Sequence, residues 1–125
     1  MLILNIENYH TEMEESIDML SFYNDEISSL EKRLQEVVEK NTKQPILAQV
    51  EHFQNLLVVQ KEKFAQLKHD IQRQKVRMKE YVTKEKEPLS DIQVNSHKLR
   101  EEILMTTKIF TETKHTCYQF LAKVL

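Results

Sequence analysis

Residues 46–81, ILAQVEHFQNLLVVQKEKFAQLKHDIQRQKVRMKEY, decide how this chain folds. Ile46, Val50, Phe53, Leu57, Phe64, Leu67, Ile71, Met78 and Tyr81 recur at alternating steps of four and three, with Gln60 and Gln74 filling the two gaps. That spacing holds a single apolar stripe along one side of a helix and fits it to a partner by interdigitating side chains. Pro45 sits just ahead of the stripe, where a missing N–H costs a helix nothing. The period predicts a helix from about 45 to 86, roughly 60 Å long at 1.5 Å per residue.

Working outward, the same rhythm appears on both sides. Toward the N-terminus it runs through Leu2, Ile6, Tyr9, Met13, Ser16, Leu20, Tyr23, Ile27, Leu30, Leu34 and Val37. Thr11 and Glu14 form a capping-box pattern that would start this helix late. The stripe nevertheless continues back through Ile6, so a start near Asn5 and a helix over about 5–41 is the expectation. Toward the C-terminus the stripe is Leu89, Ile92, Ser96, Leu99, Ile103, Thr106, Phe110, Thr113, Cys117, Phe120 and Val124. It predicts a third helix over about 89–124, with Ser90 and Gln93 as a candidate capping box. The short connections force neighbouring helices antiparallel. The fold class expected for residues 1–125 is therefore one all-α domain. It is an antiparallel up-down-up three-helix bundle of long helices with coiled-coil-like packing.

Composition supports this and removes several functions. The chain has 125 residues, no glycine and two prolines, Pro45 and Pro88. Without glycine the usual material for phosphate-cradling loops, hairpin turns and tight active-site turns is missing. The net charge of −2 argues against a polycation built for nucleic acid. The longest other apolar run, Leu56-Leu57-Val58-Val59, is far short of a membrane span. The N-terminus lacks the basic and long apolar regions of a secretory signal. A single cysteine, Cys117, has no internal partner and points to a reducing cytoplasm.

Charge is unevenly placed. Residues 1–41 carry ten acidic and three basic side chains, whereas residues 42–87 carry ten basic and six acidic ones. Antiparallel pairing sets Glu12, Glu14, Glu15 and Asp18 level with residues 68–74. Helix-to-helix complementarity is thus expected to absorb the basic cluster Lys68, Arg73, Lys75, Arg77 and Lys79, rather than nucleic acid.

Metal and catalytic constellations are weak. Glu7 to His10 and Glu112 to His115 repeat the Glu-x-x-His spacing of di-metal bundles. Glu112 and His115 fall off the stripe, and no glutamate faces them from the core. The only place to look for a metal is the end where His10 and His97 meet Glu7 and Glu101. Cys117 lies on the core stripe, and His115, two residues away, does not share its face. No catalytic, cofactor-binding or metal residue is assigned.

Two features remain. Asn24, Gln60 and Thr113 match in level along the rod and are expected to form a buried polar layer, which fixes register at some cost in stability. Met19, Phe22, Leu104, Met105 and Ile109 exceed what one seam needs, and are expected to form an interface for a fourth helix or another copy of the chain. The reading is a non-enzymatic helical-bundle protein acting through protein–protein contact, including a homodimer. One alternative is a small cytosolic chaperone or adaptor that takes an amphipathic client helix. Another, of a different class, is a metal-dependent helical-bundle enzyme.

Overall fold

A computed structural model describes residues 2–84 and 89–125, with side chains described from Ile6 onward. It contains three helices, α1 (Leu2–Lys40), α2 (Gln44–Lys84) and α3 (Leu89–Val124), and no strand among the described residues. All three pairs of helices touch. The bundle expected from the heptads is the bundle observed.

Every described stripe position faces inward or partly inward. Ile6, Met13, Leu20, Ile27, Leu30, Leu34 and Val37 bury the α1 face. Val50 to Met78 on α2 and Ile92 to Leu121 on α3 close the same cluster. Long helices of this kind gain most of their stability from burying such a face rather than from intrinsic propensity. At mid-rod each helix contributes one aromatic ring. Tyr23 and Phe110 lie 5.1 Å apart, and Phe64 meets Phe110 edge-on at 5.4 Å. Nearer the α1–α2 connection, Phe53 and Phe120 pair at 5.4 Å.

Ion pairs record the direction of each helix. Lys61 meets Glu31 and Lys75 meets Glu14, so rising numbers on α2 face falling numbers on α1. Arg100 meets Glu12 and Lys114 meets Glu26, so α1 and α3 climb together with a constant offset. The order is up, down, up.

The helix ends differ in part from expectation. α1 begins by Leu2 rather than Asn5, and Thr11 lies inside it instead of capping it. Ile6 is buried, and packing there outweighs the local capping signal. At the other end the Asn41 side-chain amide donates to Val37 O at 3.0 Å, satisfying a terminal carbonyl without a glycine cap. Asn41, Thr42 and Lys43 make the connection, and Lys43 O accepts from the backbone N–H groups of Ile46 and Leu47, both at 3.1 Å. Pro45 occupies the first turn of α2. Ser90 follows Leu89 inside α3, so it does not act as the cap. The expected end of α2 at Lys86 and the role of Pro88 lie outside the described residues.

Candidate functional site

The polar residues inside the seams form two layers of unequal quality. Gln60 donates from Nε2 to Thr113 Oγ1 at 2.7 Å, and Thr113 Oγ1 donates onward to Ile109 O at 3.1 Å. The other end of the same amide, Gln60 Oε1, is buried with no hydrogen-bond partner among the described residues. Asn24, expected as the third member, is half-buried, and among the described residues its side chain bonds to neither. It sits one residue past the seam position Tyr23, and that rotation of about 100° turns it out of the layer.

The second layer lies two heptads further along α2. Gln74 Nε2 donates to Ser96 Oγ at 2.9 Å and to Ile92 O at 3.1 Å. Ser96 is fully buried. Gln74 and Ser96 were both visible as polar seam residues, but their pairing depends on the lateral register of α2 against α3, which no single stripe contains.

The charged residues of α1 divide between two neighbours. Glu14 and Glu31 reach Lys75 at 3.4 Å and Lys61 at 3.1 Å on α2. Glu12 instead takes both arms of Arg100 on α3, with Nη2 at 2.7 Å from Oε2, and Glu26 takes Lys114 at 3.0 Å. The hydrogen bond to Glu12 holds the Arg100 guanidinium even more firmly protonated, and its carbon lies 5.9 Å from the centre of the Tyr9 ring. Each partly exposed pair contributes on the order of 0.2–1 kcal/mol, enough to choose orientation but little toward stability. The expectation that helix-to-helix complementarity absorbs the basic cluster is therefore met only at Lys75: Glu12 turns to α3, and Lys68, Arg73, Arg77 and Lys79 form no ion pair among the described residues. Successive positions rotate by about 100°, so neighbouring acids point to different places. Glu15, Asp18 and Asp25 face outward, and none forms an ion pair among the described residues.

The apolar surplus is also divided. Phe22 is 59 % exposed, Leu104 62 %, Met105 61 % and Ile109 48 %. Met19 is half-buried and packs against the core, so it belongs to the seam's flank rather than to an open surface. Phe22 precedes Glu26 by four residues and Leu104 follows Arg100 by four. Both therefore share the α1–α3 edge that those ion pairs define. Met105 and Ile109 turn the other way. Met105 lines a groove with Lys63 of α2, and Ile109 lines a larger one of about 500 Å³ with Phe53, Leu56 and Phe120. The expected single patch is two patches on two sides of α3.

The histidines do not converge. His10 lies 3.8 Å from Glu14 and His97 lies 3.3 Å from Glu101, each with its own helix's carboxylate four residues on. No group of three or more His, Cys, Asp and Glu side chains placed to hold a metal occurs among the described residues. Glu7 and His10 border a groove between α1 and α2 of about 410 Å³, lined by Ile6, Val76, Met78 and Val82 together with Gln72, Lys75, Lys79 and Thr83. Glu112 and His115 are both exposed.

Cys117 is fully buried, and burial pushes its thiol up to about 11. The thiolate is the reactive form, so this cysteine is inert in the folded chain. A thiol reagent at neutral pH is expected to label it only after denaturation. Rapid stoichiometric labelling of the native protein would contradict the burial.

Among the described residues no helix is long and apolar enough to cross a membrane. Comparison with protein families, with curated proteins and with solved structures finds no match.

Proposed function

We propose that this bundle is a non-enzymatic protein that works in the cytoplasm by docking onto protein surfaces, its own copies included. One observation carries the reading: Phe22, Leu104, Met105 and Ile109 stand about half or more exposed on a rod whose core is already closed without them. Fully burying such side chains is worth ~1.5–3 kcal/mol each, and the two patches they form, Phe22 with Leu104 and Met105 with Ile109, each offer apolar surface to a partner. The unpaired, buried Cys117 is consistent with a reducing compartment.

Light scattering on the purified chain tests the reading. More than one copy per particle at micromolar concentration is the expected result. Phe22→Glu and Met105→Glu, made separately, should each shift the particle toward one copy while leaving the helical signal of circular dichroism unchanged.

A second reading has its own support in the α1–α2 groove, where Ile6, Val76, Met78 and Val82 form an apolar strip flanked by Lys75 and Lys79. Such a groove suits an amphipathic helix from another protein, as in a small chaperone or adaptor. A chain that stays monomeric at every accessible concentration favours this reading over self-association.

A further inference from the structure

We infer that a second copy docks head-to-tail, laying the Phe22 face of its α1 into the groove between α2 and α3 of the first. The inference rests on the self-association proposed above and names the two faces that meet.

The first argument is charge. Phe22 stands exposed between outward-facing acids, with Glu15 seven residues before it and Asp25 three residues after it. On α3, Met105 stands exposed between cations at the same spacings, with Lys98 seven residues before it and Lys108 three residues after it. All four charged side chains are exposed, and none forms an ion pair among the described residues. Seating Phe22 on Met105 with the two helices parallel sets Glu15 level with Lys98 and Asp25 level with Lys108. Seven residues are roughly 10 Å on both helices, so the levels match without distortion.

The groove itself adds to the positive side. Arg73 and Arg77 of α2 line it beside Lys98, in a hollow of about 180 Å³. Two acids, Asp70 and Glu102, share that lining, and Glu102 is drawn 3.8 Å from Lys63. One like-charged pair remains in this seating, Glu101 opposite Asp18, where Glu101 lies 3.3 Å from His97 on its own helix.

The second argument is geometric. In the seating described, the incoming α1 runs parallel to α3 and antiparallel to α2. These are the relations that the chain's own α1 holds to both helices. The guest helix would complete a fourth position around the α2–α3 pair using packing the fold already employs. Because the two faces differ, the contact is heterologous: it builds a ring if the rotation closes and a filament if it does not.

Charge reversal on each face provides the test. Glu15→Lys with Asp25→Lys, or Lys98→Glu with Lys108→Glu, should weaken association on the order of 100-fold, as juxtaposed like charges do at an interface. The chain carrying all four changes should recover part of that association, because the reversed pairs complement one another while Arg73 and Arg77 stay cationic. Circular dichroism should show unaltered helix in all three variants. If the unmodified chain associates but the paired reversals leave it unchanged, or the fourfold variant fails to recover, the inference falls while self-association stands. If the unmodified chain is a monomer, self-association falls and takes the inference with it.

Discussion

Phe110→Ala is expected to lower the free energy of unfolding by about 3–5 kcal/mol, the largest single effect in this molecule. Phe110 is fully buried and touches an aromatic ring from each of the other helices, Tyr23 and Phe64. Truncation removes the transfer free energy of the ring and the two aromatic contacts, which contribute roughly 0.5–1.5 kcal/mol each beyond burial. It also opens a cavity that three rigid helices cannot close by local collapse, since α1, α2 and α3 are held apart by the layers above and below. Chemical denaturation with an unchanged slope would show the loss. A cost under about 1 kcal/mol, the typical centre for arbitrary substitutions, would mean that the three rings do not meet. Val94→Ala is the control: that side chain is mostly exposed and lies outside the proposed contact, and its loss should stay within about 0.5 kcal/mol.

The second large effect is a contrast of sign between two glutamines that look alike in the sequence. Gln60→Leu should stabilise the chain by about 1 kcal/mol. It removes Oε1, a buried acceptor with no partner, whose desolvation costs about 1–3 kcal/mol. Thr113 loses the bond from Gln60 but keeps Ile109 O as an acceptor. Gln74→Leu should instead destabilise the chain by about 1–2 kcal/mol, because two hydrogen bonds disappear and fully buried Ser96 loses its donor. Denaturation of the two variants beside the parent measures the difference directly. Shifts of the same sign would show that the two layers are equivalent and that the orphaned oxygen of Gln60 finds a partner.

These cases show where sequence reasoning stops. Gln60 and Gln74 were both identifiable as polar residues on an apolar seam, because their positions in the heptad are a local property. Their different satisfaction was not. It depends on α3 offering Thr113 to one and Ser96 with Ile92 O to the other, and the lateral register of two helices is a global quantity. The same holds for α1: its acidic character was plain, yet Glu12 reaches α3 while Glu14 reaches α2.

The chain by itself determined three long helices, their seams and the antiparallel order. Periodicity, the lack of glycine and short connections act over a few residues and leave a helix few alternatives. Only the tertiary structure decided which way each helix rotates about its own axis. That rotation turned Asn24 out of the polar layer and Met19 toward the core. It also sent Phe22 and Leu104 to one side of α3 and Met105 and Ile109 to the other. One residue corresponds to about 100° on a helix. A seam several residues wide leaves its flanks free to turn by that much, so the side on which each flanking residue emerges is settled when all three helices pack at once.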